Sequence, residues 1–165
     1  MLHSKKLFNN LKLAAISIIA LFIVAACGDD ENHTLNFSGK LVEHSTCKSD
    51  KDSFLSDEIP ENISQINYSY DKATNKLTLK HINVRFNCCS DSLYANISLL
   101  NDTIIIRELE AVTEPCNCTC LYDLDMLITG VEAKKYTIKI TEPRKIVFDV
   151  DLNETTNGSY SITVE

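Results

Sequence analysis

Apolar and polar residues alternate along most of the chain after residue 34, and turn-forming residues interrupt the pattern at short intervals. A period of two is typical of β-strands, because successive side chains of a strand point to opposite faces of its sheet. Strands at this spacing predict an all-β protein, built as a two-sheet antiparallel sandwich of about nine strands. The predicted strands cover residues 35–41, 66–70, 77–86, 93–99, 103–109, 122–128, 136–140, 146–152 and 160–164, with a turn at 101–102 between the fourth and fifth.

In the third predicted strand, residues 77–86, the apolar residues change from odd-numbered to even-numbered positions. Leu79 is followed by the apolar Ile82, three positions later, where strict alternation would place an apolar residue two positions later. One extra residue inserted near Lys80 and His81 would produce this change. The sequence therefore predicts a β-bulge at that point.

The first 26 residues predict an export signal that is cleaved off. Lys5, Lys6 and Lys12 precede an apolar run at residues 13–24. That run would form about 18 Å of helix, well short of the ~30 Å hydrocarbon core of a bilayer. A basic start, a short apolar run and small residues after it are typical of a signal peptide.

The cleavage point resembles that of a known family. VAAC, residues 24–27, resembles the lipobox of bacterial lipoproteins, which implies that Cys27 becomes the N-terminus and is lipidated, with acyl chains such as palmitate holding the protein on a membrane. The acidic GDDE that follows, residues 28–31, resembles the surface-export signal of Bacteroidetes lipoproteins. The resemblance implies an outer-membrane protein on the cell surface, with the periplasmic face as the alternative. Residues 27–34 would form a tether and residues 35–165 a single domain.

The charge of the exported part limits its partners. All 23 acidic residues but only 13 of the 16 basic ones follow residue 26, so this part carries a net charge of −10. Nucleic acids and anionic lipid surfaces attract basic patches, so the charge disfavours both. The predicted partners are the membrane, through the lipid anchor, and a protein or glycan that the sequence does not identify.

A second resemblance concerns the fold. ITGVEAKKYTIKI, residues 128–140, is similar to a corner of immunoglobulin-like domains, where a glycine-containing turn precedes a tyrosine that opens an alternating strand. Tyr136 has that place. The resemblance implies an immunoglobulin-like sandwich, but Ile138 stands where such a domain can carry a cysteine of its inter-sheet disulfide. The strand order therefore stays open.

Six cysteines follow Cys27, and an even number in an exported chain predicts disulfides. If residues 116–128 form one strand, Cys116, Cys118 and Cys120 share its inward face at about 6.6 Å spacing, which strains any bridge among the three. Each should then pair with one of Cys47, Cys88 and Cys89, and six pairings remain open.

A metal site is the alternative interpretation of these cysteines. Cys88, Cys89, Cys116, Cys118 and Cys120 could bind zinc or a soft ion such as Cu(I), or act as reactive thiols. Redox proteins usually carry C-x-x-C at a helix N-terminus, and neither element is present. Structural disulfides, with no metal and no cofactor, are the preferred interpretation.

No catalytic group can be assembled from the sequence. His33, His44 and His81 are scattered, and surface positions are expected for them. We therefore predict a non-enzymatic binding or structural module, such as an accessory subunit of a surface complex, and a metal-binding or thiol-active envelope protein as the alternative. Two triplets, DSL at Ser92 and DTI at Thr103, resemble the short O-glycosylation motif of exported Bacteroidetes proteins.

Overall fold

The structure is a computed structural model that describes residues 36–48 and 59–164. These ranges contain no helix, and so none that is long and apolar enough to cross a membrane. The predicted signal peptide, Cys27 and the predicted acidic tether lie outside them. The strands are β1 (Ser38–His44), β2 (Ile63–Asp71), β3 (Lys76–Asn87), β4 (Ser92–Leu100), β5 (Thr103–Ala111), β6 (Thr119–Thr129), β7 (Lys135–Glu142), β8 (Ile146–Asp151) and β9 (Asn157–Thr163).

The strands form two sheets, which confirms the predicted all-β class and the two-sheet sandwich. One sheet has five strands in the order β1-β6-β3-β2-β9, and the other has four in the order β4-β5-β7-β8. Tight turns join β2 to β3 and β4 to β5, and each contains an asparagine at positive φ, Asn75 and Asn101, both at 53°. Asparagine tolerates this left-handed conformation better than most residues. The turn predicted at residues 101–102 is therefore present.

One strand pair differs from the antiparallel pairing predicted throughout. β5 and β7 run parallel, with Thr103 opposite Thr137 and Ile106 opposite Ile140. The physical reason is the path of the chain between them. It crosses to the other sheet to form β6 and returns in the direction in which it left, as a parallel connection requires.

The core lies between the two sheets. Met126 and Ile128 of the five-stranded sheet and Ile104, Ile138 and Ile140 of the four-stranded sheet belong to one apolar cluster, each at most 1% exposed. Burying one such side chain contributes about 1.5–3 kcal/mol. The inward-facing positions of the alternating pattern therefore hold the sheets together.

The predicted β-bulge is confirmed, one to two residues further along β3. His81 lies opposite Leu124 and Val84 opposite Tyr122, so β3 contains one residue more than β6 between these pairs. Asn83 absorbs the insertion at φ 63°. His81 consequently keeps the inward parity of Leu77 and Leu79, while Val84 resumes it after the bulge.

Candidate functional site

Three disulfides join the ends of β1, β3 and β6. Their Cα–Cα distances are 5.4, 5.7 and 5.6 Å, all within the usual range. This is one of the six pairings that strand geometry left open. We call these bonds the disulfide cluster: Cys47–Cys120, Cys88–Cys118 and Cys89–Cys116.

The side chain of Asn87 organises the loop that carries two of these bonds. Its Oδ1 accepts hydrogen bonds from the backbone N–H of Cys89, at 2.9 Å, and of Cys116, at 3.1 Å. Its Nδ2 donates to the carbonyl of Cys116 at 2.8 Å. Both backbone groups of Cys116 thus bind a side chain instead of a neighbouring strand. The regular pairing of β6 with β3 begins only at Thr119, opposite Asn87.

The late start of β6 corrects one expectation. Cys120 is buried, at 9% exposure, but Cys116 and Cys118 are exposed in the loop before the strand. The shared inward face predicted for all three is therefore wrong for Cys116 and Cys118. The vicinal Cys88 and Cys89 bond to different partners, as their opposite directions in extended chain require.

Carboxylate and phenol groups pack behind the disulfide cluster. Glu110 Oε2 accepts a hydrogen bond from the Asn87 backbone N–H at 2.8 Å and another from the Ser90 hydroxyl. The Tyr122 hydroxyl donates to the Asn87 carbonyl at 3.3 Å. Burial, and secondarily the charge of Glu110, raise the pKa of the Tyr122 phenol. Hydrogen bonds to these groups therefore hold the loop in addition to its disulfides.

A second polar group lies inside the sandwich and joins the two sheets. Ser64 of β2, His81 of β3 and Glu108 of β5 are 5%, 3% and 1% exposed. His81 Nε2 lies 2.7 Å from Ser64 Oγ, and His81 Nδ1 lies 2.7 Å from Glu108 Oε1. We call Ser64, His81 and Glu108 the buried triad.

The chemistry of these groups gives the buried triad a direction. An ionised carboxylate can only accept hydrogen bonds, so with Glu108 ionised and His81 neutral, the imidazole proton is on Nδ1. Nε2 then carries a lone pair and accepts from the Ser64 hydroxyl. This is the arrangement in which a histidine takes the proton of a serine. Glu108 Oε2 accepts no hydrogen bond from any residue that the structure describes.

The buried triad borders a cavity of about 210 Å³. Ser64 and His81 are both among the residues that line it. Apolar walls come from Val84, Ile146 and Val164. The exposed Arg85 and Arg144 bring two positive charges to the same cavity.

The bulge in β3 forms one wall of this cavity. Asn83 Nδ2 contacts the carbonyl oxygens of Ile59, Pro60 and Ile63 at 3.3, 3.1 and 2.8 Å, and its Oδ1 accepts from Lys48 Nζ at 3.0 Å. One buried side chain therefore ties the bulge to the segment that leads into β2. Because Ser64 follows Ile63, these contacts also position the start of the serine's strand.

The histidines differ from the surface positions expected for them. His44 is exposed as predicted, and His33 lies outside the described residues, but the prediction is wrong for His81. The bulge keeps His81 on the core-facing side of β3, where it meets Glu108 from the opposite sheet.

The other predicted site residues lie at the starts of two strands and in the disulfide cluster. Ser92 is the exposed first residue of β4, and Thr103 is the partly buried first residue of β5, at the other end of that hairpin. All the cysteines of the alternative metal site are bonded in the disulfide cluster. Within residues 36–48 and 59–164, no three His, Cys, Asp or Glu side chains are grouped to hold a metal ion.

The sequence does contain a signal for the buried triad. Glu108 continues the inward parity of Ile104 and Ile106, and Ser64 shares the parity of Ile66. A polar residue on the apolar side of an alternating strand needs a buried partner, so such positions are candidates for a site. Only the sheet order, however, shows that these residues meet.

Comparison with known protein families, curated proteins and solved structures finds no match.

Proposed function

We propose that the protein is a lipid-anchored lipoprotein of the bacterial cell envelope, whose disulfide-bonded sandwich serves as a binding or accessory module. The observation that carries the proposal is the pairing of six of the seven cysteines into three disulfides. Disulfides persist in oxidising compartments outside the cytosol. The seventh cysteine is Cys27, in the motif that resembles a lipobox.

The outer membrane, with display at the cell surface, is the proposed location. The GDDE motif after Cys27 supports surface display, and the net charge of −10 supports a hydrated domain that does not bind anionic lipid by itself. The partner would then be a surface protein or glycan. A domain facing the periplasm is the alternative.

We also propose that the sandwich is of the immunoglobulin-like kind. The support is local: Gly130 turns the chain at φ 71° after β6, and Tyr136 is the second residue of β7. Tyr136 Oη accepts a hydrogen bond from the backbone N–H of Glu132, 3.2 Å away. A tyrosine hydroxyl bound to backbone a few residues upstream is the contact that defines such a corner.

The alternative function, metal or thiol chemistry, has less support. Its five cysteines would have to be thiolates, since the thiolate is the metal ligand and the nucleophile. In the structure each of them is bonded to another sulfur. Disulfides therefore favour the binding module.

The anchor is tested by growing a Bacteroidetes host with an alkyne analogue of palmitate. We expect the wild-type chain to incorporate the label and Cys27→Ser to incorporate none. Added protease should degrade the wild-type protein on intact cells, whereas a variant with alanine at Asp29, Asp30 and Glu31 should be protected. Label in the Cys27→Ser chain would refute the lipid anchor at Cys27. Protection of the wild-type protein from added protease would indicate that the domain faces the periplasm.

The disulfides are tested by intact mass, alkylation without reductant and elemental analysis. We expect a mass six hydrogens below that of the reduced chain, no alkylation and no bound metal. Thiols that alkylate only after a chelator is added, together with stoichiometric zinc or copper, would instead establish the metal alternative.

A further inference from the structure

We propose that the buried triad is a catalytic site, with Ser64 as nucleophile, His81 as general base and Glu108 as the residue that positions His81, and that it hydrolyses small esters. This proposal goes beyond binding and does not depend on the membrane anchor. It rests on the connectivity of the three side chains and on the cavity beside them.

The hydrogen bonds have the atoms that nucleophilic catalysis needs. Ser64 Oγ bonds to the Nε2 of His81 and Glu108 bonds to the Nδ1, both at 2.7 Å. A histidine held by a carboxylate on one nitrogen presents the other as a proton acceptor, and this arrangement recurs on unrelated folds. The buried triad therefore meets the geometric conditions for an activated serine: nucleophile to base, and base to orienting group.

Burial indicates that these residues do more than fill space. Inside the sandwich a carboxylate is costly unless it is paired and fully hydrogen-bonded, and Glu108 Oε2 accepts no hydrogen bond from the residues described here. An apolar residue would satisfy the core at this position, as Ile104 and Ile106 do on the same strand. A catalytic role is one of the explanations for an unsatisfied polar group in a folded core.

The cavity defines the class of substrate. Its volume of about 210 Å³ is below the ~300–1,000 Å³ of sites for drug-sized ligands, so it suits a short acyl group. Apolar contact to that group comes from Val84, Ile146 and Val164. The positive charges of Arg85 and Arg144 attract a negatively charged group on the substrate. The substrate class is therefore a small ester that carries a carboxylate or another anionic group.

The reaction consists of two acyl transfers. Ser64 Oγ attacks the ester carbonyl carbon while its proton passes to His81 Nε2, and the bond to the alcohol oxygen breaks as the alcohol leaves with that proton. Water then attacks the acyl carbon and gives a proton to Nε2. The bond from Ser64 to the acyl group breaks, the carboxylic acid leaves, and the proton returns to Ser64. No cofactor or oxidant is required.

The first test is covalent labelling of the purified full chain, in detergent and with its disulfides intact, by a fluorophosphonate probe. We expect one adduct, located on Ser64 by peptide mapping. Ser64→Ala should abolish it. Ser69→Ala is the matched control, since Ser69 lies on the same strand but is exposed, and it should label like the wild type. An unlabelled wild type, or an adduct elsewhere, would overturn the proposal.

The second test is steady-state hydrolysis of two p-nitrophenyl esters, the neutral acetate and the anionic hemisuccinate. Ser64→Ala should lower turnover to the background rate. Glu108→Gln should lower kcat by about 10²–10⁴-fold, the usual contribution of a positioned base, with little change in KM. Arg144→Gln, at an exposed position, should raise KM for the hemisuccinate alone. Equal hydrolysis by wild type and Ser64→Ala would mean that the triad is only structural.

Discussion

The three disulfides differ in how much of the chain each one closes, and this predicts unequal contributions to stability. Cys47–Cys120 spans 73 residues, whereas Cys88–Cys118 and Cys89–Cys116 span 30 and 27 and are nested. Because the three bonds coexist, the relevant loop for each bond is the shortest closed path that runs along the chain and across the other two bonds. We expect removal of the outer bond to cost about twice as much free energy of unfolding as removal of the innermost one.

The magnitudes follow from the entropy of loop closure. With the other bonds intact, the path closed by Cys47–Cys120 runs from residue 47 to 88, across to 118 and on to 120. That is about 44 residues, for which the chain-entropy relation gives about 4 kcal/mol. The path closed by Cys89–Cys116 runs through 88 and 118 and contains about five residues, which gives about 2 kcal/mol.

The assay is guanidinium unfolding of two double variants, C47A/C120A and C89A/C116A, against the wild type. The chain has no tryptophan, so tyrosine fluorescence and far-ultraviolet circular dichroism report unfolding. The m-value should rise more in the first variant, because its unfolded chain is less constrained. Equal losses in the two variants, or a larger loss for the inner bond, would refute the path-length argument.

Three further perturbations test the backbone and the buried phenols. Gly130→Ala should lower the free energy of unfolding by more than about 2 kcal/mol, because a Cβ there would meet the Asn36 carbonyl and φ is 71°. A loss of less than half of that free energy would contradict the contact. Asn83→Ala should be about 1–2 kcal/mol less stable than Asn83→Gly, since both variants lose the side-chain amide and only glycine tolerates φ 63° without cost. Equal free energies of unfolding would show that the backbone of the bulge changes to a conformation that alanine accepts. Burial raises the pKa of three tyrosine phenols, so tyrosinate absorbance should appear in more than one step. The free energy of unfolding should be constant below the unfolded-state pKa of about 10 and should fall as pH rises above it. A single absorbance step near pH 10 with an unchanged free energy of unfolding would contradict the raised pKa values. The three phenols are those of Tyr70, Tyr122 and Tyr136.

Period-two alternation was sufficient to locate the strands because both sheets bury one face. β6 and β8 show this most clearly, with Met126, Ile128, Phe148 and Val150 all inward. The β-bulge in β3 could be predicted for the same reason. An inserted residue shifts every later side chain to the other face, so the change of parity is visible in the sequence itself.

The sites could not be assembled from the sequence because they depend on contacts between distant segments. The disulfide pairing depends on the loop that Asn87 holds in place, and nothing local to Cys116 or Cys118 indicates that interaction. The buried triad needs β2 beside β3 and β5 opposite them. Periodicity specifies which face a residue occupies but not which strand lies across from it.

The position of Cys47 has a mechanical consequence. If the chain is anchored through Cys27, as proposed, a pulling force enters the domain at β1, an edge strand that pairs with β6. Under load, β1 can detach one hydrogen bond at a time, but the extension ends at Cys47, which is covalently fixed to Cys120. The ten residues 38–47 span at most about 35 Å when fully extended. Under the proposed anchoring, the disulfide therefore acts as a stop: force can detach β1 only as far as Cys47, and the load then passes to β6 through the bond to Cys120.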